Sequence, residues 1–474
     1  MVAAHSPAVS VGPFGQRLSR LEMSKFALLF MLLFFGGVVA TFAYSGSASF
    51  LLYQLVYFLN PDARWWSAQI PGISYSFVAS ILMIGTLAMG YRRYTEKSPW
   101  TAQPALKWLV VLLLFYYLAY VLFALDPVIH KRFTIDFTKL VIIVFVAYKL
   151  LNSKRALAAS IWAYLIGATY IGYLATITGR NSGDRVEGIG LVDSPDANGV
   201  AAALVPAGVL LLYYAWMGNW KVRLLAVICG ALIANGLVLI NSRGAFLGSV
   251  AGVAPFLLSM FFSRYQRRGQ RPMALLIAIV GLSGALYVTD AQFWERMNTL
   301  QNLESKESGA GRVTFWLKTF DMLEDHPMGM GIYGYNRLAP LYMDDETRGG
   351  VEFRSVHSLW FQGLSEVGPL GFLVFLTMLV SLYRTSRKAR HWLRAEGGDN
   401  RTYFQLLALE CALLSYLAAA TFINQFRAEI LYWMILLLAV GTNVHYLQHV
   451  RVSADTPAPR RGRTPVSEST AGTL

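Results

Sequence analysis

The sequence predicts an all-α polytopic membrane protein with about 12 transmembrane helices. Its 474 residues are 55% hydrophobic and only 14% charged. The mean hydropathy is +0.45, and apolar runs long enough to cross a bilayer recur along most of the chain. Soluble globular proteins do not combine these features, so a bundle of helices embedded in lipid is predicted.

The net charge of +14 does not indicate a nucleic-acid partner, because the basic residues cluster in short loops between apolar runs. Lys and Arg in such loops orient spans, so membrane lipids are the expected surroundings and no nucleic acid is expected. Cys229 and Cys411 lie within apolar runs. They predict buried thiols and no disulfide framework.

The first apolar run, 26–44, follows a polar and basic segment, 1–25. A membrane span is favoured there over a signal peptide, because no convincing cleavage site follows. Residues 47–59 are apolar but short, which predicts a re-entrant or interfacial segment with Trp65 and Trp66 at the headgroup level. The other spans are predicted at 72–90, 108–125, 134–151, 156–177, 198–217, 222–240, 244–263, 273–289, 357–383, 403–421 and 428–447.

The short basic loops all fall on one face of the membrane if both termini are cytoplasmic, as the positive-inside rule requires. This topology divides the chain into a cytoplasmic segment 1–25, nine spans in 26–289, a large external loop 290–356, and three spans in 357–450. Residues 451–474 are rich in Pro, Ser, Thr and Arg and are predicted to be a disordered cytoplasmic tail.

The large loop 290–356 is predicted to carry a short amphipathic helix. Val313, Trp316, Phe320 and Leu323 recur at helical spacing, and Pro327 closes the run. Such a helix is expected to lie on the membrane surface.

Arginines gather on the predicted external face at the ends of spans. Arginine binds phosphate oxygens through its planar fork, so this set predicts a phosphate or pyrophosphate ligand presented from the bilayer. The alternative for each is a snorkelling or plain loop charge, and for Arg243 the near absence of a loop around it favours function. The set comprises Arg180, Arg185, Arg243, Arg312 and Arg354.

His357 stands where the loop gives way to the tenth full span, three residues after Arg354. A lone histidine at a helix end is often only structural, but a neighbouring cation favours the neutral imidazole that a general base needs. Glu366 lies nine residues further on and is assigned a buried structural or supporting role. Asp196 and Asn198 could contact substrate, but capping of the following helix is favoured.

Several sequence signals of other chemistries are missing. There is no Walker A loop, HExxH motif, paired-cysteine metal site or dinucleotide fingerprint. No cofactor and no metal are therefore expected.

In order along the chain, these residues resemble the O-antigen ligase and polymerase superfamily of bacterial inner-membrane proteins. The resemblance rests on Asp196-Ala-Asn198, Ser242-Arg243-Gly244-Ala245, Gly311-Arg312, Pro327 with Gly329 and Gly331, and His357 with Glu366-Val-Gly368 and Gly371. The motifs cover residues 180–375. Ser358 departs from the asparagine that the family often has after the histidine.

The resemblance implies a helical fold of the lipid-sugar transferase type in the inner membrane, with loop 290–356 in the periplasm. It implies transfer of a glycan from undecaprenyl pyrophosphate to a lipid A-core acceptor by an inverting, metal-independent reaction. His357 would deprotonate the acceptor, Arg185 and Arg243 would hold the pyrophosphate, and Arg180, Arg312 and Arg354 would assist. Two alternatives remain open at this point: a polymerase with a second lipid-linked glycan as acceptor, and a transporter of an anionic lipid-linked substrate.

Overall fold

The structure, a computed structural model, describes residues 23–263, 268–298, 310–397 and 399–455. The described residues form helices without a regular strand, with only two isolated bridges, Ser182–Arg185 and Leu191–Ser194. Most of the predicted N-terminal segment and the predicted tail from residue 456 lie outside the described residues. Residues 451–455, assigned to the tail by the sequence, continue the last helix.

Most of the long helices are joined by short connections, as expected for antiparallel neighbours in a bundle, with longer segments at 60–74 and 179–196. The helices are α1 (Lys25–Ala43), α2 (Ser47–Leu59), α3 (Tyr75–Met89), α4 (Tyr91–Lys97), α5 (Pro104–Leu122), α6 (Pro127–Leu150), α7 (Lys154–Thr178), α8 (Ala197–Met217), α9 (Trp220–Ile240), α10 (Arg243–Phe262), α11 (Gln270–Val288), α12 (Ala291–Asn298), α13 (Ala310–Asp325), α14 (Gly334–Tyr342), α15 (Asp345–Arg348), α16 (Leu359–Ala395), α17 (Asn400–Ala420), α18 (Glu429–Thr442) and α19 (Gln448–Asp455).

Within the described residues, ten helices are long and apolar enough to cross a membrane, which makes the chain a multi-pass membrane protein. They are α1, α5, α7, α8, α9, α10, α11, α16, α17 and α18, the last continuing to Arg451.

The predicted count of about 12 spans is not confirmed, and two predicted spans account for the difference. The span at 72–90 is the helix α3, which has only 15 residues. The span at 134–151 lies inside α6, which begins at Pro127 and carries Lys131, Arg132 and Asp136 near its start. These charges reduce the apolar character of α6 despite its 24 residues.

The short helix α2 is a core element. Phe50, Tyr57 and Phe58 are buried, and their rings pack around the ring of Trp433 from α18 at centroid distances of 6.1, 4.9 and 6.1 Å. The interfacial alternative for residues 47–59 is therefore wrong, and the re-entrant alternative stays a prediction. Of the two tryptophans that follow, Trp65 is exposed but Trp66 is buried.

Helices α8, α17 and α18 form the centre of the bundle. Most of their residues are buried, whereas α11 is almost entirely exposed and presents apolar side chains such as Leu276 and Leu282 outward. Helices covered on all sides by other helices are expected at the middle of a membrane bundle, and an exposed apolar helix is expected where the protein meets lipid.

Close packing of α10 on α17 fixes the start of α10. Gly244, Gly248 and Gly252 recur every four residues and face the backbone of α17, and a Cβ on Gly248 would lie 2.6 Å from the carbonyl oxygen of Ser415. Small residues at this spacing let two helices approach within van der Waals distance in a membrane. Arg243, the first residue of α10, is held in place by this contact.

The loop helix α13 is present, its predicted apolar stripe is partly exposed, and its contact with the membrane surface stays a prediction. Val313 and Phe320 are exposed, whereas Phe315, Thr319 and Met322 are buried. The buried side chains pack against Met330, Tyr335 and Val356 of the same loop rather than against a membrane surface.

Helix α16 runs for 37 residues and is broken at Gly368, whose backbone has φ 66°. It also extends beyond the predicted end of the span at 383. Basic residues there are good helix formers, and Arg390 is held by a bidentate pair with Glu410 of α17, at 2.9 and 2.8 Å.

Candidate functional site

Arg185 is positioned by the start of α8. Asp196 is the N-cap of that helix, and its Oδ1 accepts hydrogen bonds from the backbone of Asn198 at 3.0 Å and Gly199 at 3.1 Å. The side chain of Asn198 in turn accepts a hydrogen bond from Arg185 Nη2 at 3.0 Å. The N-cap of α8 therefore fixes the backbone at Asn198, and the Asn198 side chain in turn orients Arg185.

Arg243 and Arg296 are brought to the same place by the turn between α9 and α10. Asn241 ends α9 in a left-handed conformation (φ 55°) and its amide donates to Asp184 Oδ2 at 3.2 Å. Arg296, on α12, donates to the same carboxylate oxygen at 2.7 Å. The loop 178–197, the start of α10 and the large loop therefore meet here.

Five arginines form what we term the arginine cluster. The pKa of Arg312 is lowered first by burial and then by the positive charges of four neighbours: Arg243, Arg296, Arg354 and Arg185. Within the part of the chain that the structure describes, neither Arg312 nor Arg354 forms an ion pair, although Arg185 lies 3.3 Å from Glu187. Grouped cations attract a multiply charged anion.

Arg180 does not belong to this cluster. Its guanidinium is paired with Asp290, to which Nη2 donates at 3.0 Å, and this pairing lowers the pKa of the Asp290 carboxyl. Its charge is therefore neutralised by a partner in the fold.

His357 adjoins the cluster on a backbone in the left-handed region, with φ 50°. Burial lowers the pKa of its imidazole to about 4, with further lowering by Arg354 and Arg312, while Asp196 acts in the opposite direction. The ring nitrogen Nε2 lies 3.2 Å from Ser355 Oγ. The imidazole is neutral at pH 7 and has a nitrogen available to accept a proton.

The ring of Phe315 contacts both the histidine and its neighbouring cation. The Arg354 guanidinium lies 5.1 Å from the centroid of the Phe315 ring, and the His357 ring lies 6.4 Å from it. A guanidinium over an aromatic face is held by the ring's quadrupole. The buried face of α13 therefore positions Arg354 beside His357, while Arg312 extends from the same helix.

Comparison with known families gives a match over part of the chain. A family model described as O-antigen ligase matches residues 228–376. This match supports membership of the chain in the O-antigen ligase superfamily. The comparison with curated proteins finds no match. The segment that matches the O-antigen ligase family contains Arg243, Arg296, Arg312, Arg354 and His357, and it leaves the loop 178–197 outside.

Glu366, within the O-antigen ligase segment, does not contact His357. It is buried, and its carboxylate accepts hydrogen bonds from Tyr116 Oη at 2.7 Å and Gln362 Nε2 at 2.9 Å and pairs with Arg427. These bonds join α5, α16 and the turn before α18, so Glu366 holds together the helices beneath the site.

The glycine motifs of the O-antigen ligase segment meet each other across the broken helix. Pro369 has no N–H, so the carbonyl of Ser365 lacks its helical donor, and Met330 N donates to it at 2.8 Å. Gly331 N donates to the carbonyl of Glu366 at 3.1 Å. A Cβ on Gly368 would lie 2.4 Å from the carbonyl oxygen of Met328. The break in α16 thus docks the large loop onto the bundle.

The turn 424–429 completes the support of His357. Asn424 Oδ1 accepts a hydrogen bond from Ser358 N at 3.3 Å, and Phe426 N donates to Gln362 Oε1 at 3.0 Å. Glu429 N donates to Asp193 Oδ2 at 2.6 Å. This turn links the start of α16 to the loop that carries Arg185.

Two residues of this arrangement were not predicted from the sequence. Arg296 could have been found from Phe293 and Met297, which are four residues apart and bury one face of α12. Arg427 gives no such signal, because its partner Glu366 is 61 residues away. No group of three or more His, Cys, Asp or Glu side chains within the described ranges could hold a metal ion.

Proposed function

We propose that this chain transfers a glycan from undecaprenyl pyrophosphate to a lipid A-core acceptor on the periplasmic face of the inner membrane, without a metal ion. The observation that carries the proposal is a neutral, half-buried His357 beside an arginine cluster in which Arg312 and Arg354 lack ion pairs within the described residues. Membership of the O-antigen ligase superfamily supports a lipid-linked glycan as substrate.

The proposed reaction is a direct displacement at the anomeric carbon. The acceptor hydroxyl loses its proton to His357, and its oxygen forms the new glycosidic bond. The bond from the anomeric carbon to the pyrophosphate oxygen breaks, and its electron pair leaves with the pyrophosphate. The proton on His357 then passes to water. A displacement from the opposite side inverts the anomeric configuration.

The arginines supply the charge stabilisation in this scheme. Negative charge grows on the leaving pyrophosphate in the transition state, and guanidinium groups that are already in place stabilise it without reorganisation. Arg185, Arg243, Arg296, Arg312 and Arg354 would hold the pyrophosphate, and neutral His357 would face the acceptor.

The proposal is tested by measuring glycan transfer by the purified, reconstituted chain. Undecaprenyl-pyrophosphate-linked glycan is the donor, and the reaction is run with and without EDTA. Two acceptors are compared: lipid A core and a second lipid-linked glycan. His357→Ala is expected to lower transfer by about 10²- to 10⁴-fold, the usual contribution of a general base. His391→Ala is the matched control, because His391 is exposed near the far end of α16.

Product on lipid A core that survives EDTA and is lost in His357→Ala supports the proposal. Chain growth on the lipid-linked glycan instead makes the enzyme a polymerase with the same site. Full activity in His357→Ala contradicts the role of the histidine, and transport without transfer contradicts the proposed function.

A further inference from the structure

A cavity of about 270 Å³ is lined by Ser355 and Val356, the two residues before His357, and the arginines of the cluster are not among its lining residues. It lies between the loop segment 331–336, the residues just before α16, the first turns of α16 and the turn 424–427. Its volume is slightly below the roughly 300–1,000 Å³ of typical ligand sites. A single sugar ring suits this space better than an oligosaccharide or a lipid chain.

The cavity has a lining of mixed polar and apolar character and carries no excess charge. Its two ionised lining groups, Glu366 and Arg427, are paired with each other. Most of its other lining side chains are amides, hydroxyls or tyrosines, including Asn336, Asn424 and Tyr333. A sugar ring presents both apolar C–H faces and hydroxyl groups to such a mixed lining, whereas the neutrality of the lining does not suit pyrophosphate. Neutral hydroxyl groups are the ligand chemistry that it matches.

Some of these polar groups have no hydrogen bond inside the protein. Across residues 23–263, 268–298, 310–397 and 399–455, neither the Asn336 side-chain amide nor the Tyr333 hydroxyl makes one. An amide can donate two hydrogen bonds and accept two, and a phenol can donate one and accept one. Both groups are therefore available to a ligand in the cavity.

Two residues next to the cavity have a strained, left-handed backbone. In the described part of the chain, four residues other than glycine have positive φ: Asn60, Asn241, Tyr333 and His357. Asparagine tolerates this conformation best, and histidine is found in it more often than most residues, but tyrosine and histidine still adopt it at a cost that the surrounding structure must offset. Tyr333 lines the cavity, and His357 bonds Ser355, another lining residue. Strain at two such positions is typical of a functional site.

Ser355 connects the cavity to the proposed chemistry. Ser355 lines the cavity, and its Oγ lies 3.2 Å from His357 Nε2. A ring in the cavity could therefore present one hydroxyl to His357 while its other hydroxyls reach Asn336 and Tyr333.

We propose that this cavity binds the terminal, uncharged sugar of the glycan acceptor, with Asn336 and Tyr333 hydrogen-bonding its hydroxyls and so selecting the acceptor. The inference rests on the proposed function, because an acceptor subsite has meaning only if transfer occurs. The arginine cluster then takes the donor pyrophosphate and the cavity takes the acceptor.

The experiment measures transfer by the reconstituted full chain while donor and acceptor concentrations are varied separately. Asn336→Ala is expected to raise the acceptor KM by about three- to tenfold, the effect of one lost hydrogen bond, with the donor KM unchanged. Leu341→Ala, an exposed position on the same helix α14, is the matched control and should change neither. Free glucose, galactose and N-acetylglucosamine are used as competing probes, and at least one should inhibit competitively against acceptor but not against donor.

A donor KM that rises as much as the acceptor KM, or inhibition by the sugars that competes with the donor, overturns the inference. If Asn336→Ala lowers the yield of folded protein, Tyr333→Phe is used instead, because it removes only one hydroxyl. It should also raise the acceptor KM and leave the donor KM unchanged. Unchanged acceptor KM in a chain that transfers normally rejects the cavity and leaves the proposed function standing. No transfer by the unmodified chain rejects both.

Discussion

The arginine cluster and the cavity adjoin the same histidine, yet they differ in how their charges are balanced. Arg312 and Arg354 form no ion pair within the described residues, whereas Arg427, at the floor of the cavity, is paired with Glu366. Residue type is the same in both regions. The difference shows that an arginine at the membrane face is not by itself a ligand site. An arginine without a carboxylate partner is available to an anionic ligand, whereas one paired with a carboxylate holds the fold together.

The largest expected effect tests the cluster. Arg312→Ala should lower kcat/KM for the donor by about 10²- to 10³-fold, as removal of one transition-state donor does elsewhere. Lys318→Ala on the same helix α13 is the control, because its charge is paired with exposed Asp321. Steady-state kinetics check both variants, and equal losses in the two would mean that α13 matters for folding rather than for charge.

The next effect tests the paired arginine. Arg427→Leu should destabilise the chain by about 3–5 kcal/mol, because it leaves the carboxylate of Glu366 buried without its partner. The double variant Arg427→Leu with Glu366→Leu should recover much of this loss. Thermal unfolding in detergent measures both. A single variant as stable as the double would show that the pair does not hold the helices together.

A smaller effect tests how the large loop is docked onto helix α16. Gly368→Ala should lower stability by about 1–3 kcal/mol, because it places a Cβ on a left-handed backbone and against the carbonyl of Met328. Gly281→Ala in α11 is the control, since nothing lies within 4 Å of its added Cβ. Thermal unfolding that gives equal melting temperatures for the two variants would contradict the docking role of Gly368.

The smallest effect concerns pH. His357 must be neutral to accept a proton, so transfer is expected to fall as pH drops through its pKa of about 4. Arg354→Gln removes a cation that lowers this pKa. The pKa therefore rises, and the acidic limb of kcat/KM should move to higher pH, while Lys318→Gln leaves it in place. If the acidic limb does not move in Arg354→Gln, the charge of Arg354 does not influence the pKa of His357.

Much of the fold could be predicted from hydropathy alone, because a span must be long and apolar whatever it packs against. The exceptions are elements whose surroundings decide their place. Helix α2 is buried because Trp433, from the far end of the chain, gives its aromatic side chains a partner. The face of α13 that buries Phe315 and Met322 is chosen by Tyr335 and Val356, which no local periodicity could indicate.

The site was predicted as a list of residues rather than as an arrangement. The positions of span ends on one face predicted a set that contained Arg180 together with the cluster residues Arg185, Arg243, Arg312 and Arg354 and with His357. Arg180 differs from the others because it pairs with Asp290, which lies 110 residues further along the chain. The pairing of Arg427 with Glu366 is equally non-local. The sequence shows which charges lie at a membrane surface, and only three-dimensional proximity shows which of them are already neutralised.

The positive φ of His357 sets activity against stability at one position. A left-handed backbone disfavours histidine there by about 1–3 kcal/mol, and glycine or asparagine would relieve much of that strain. Selection for a stable protein alone would therefore remove the imidazole, and the proposed role as general base supplies a reason for retaining it. In a lineage that stops using this chemistry, position 357 is expected to drift early toward glycine or asparagine, and the inactive descendant should be the more stable protein.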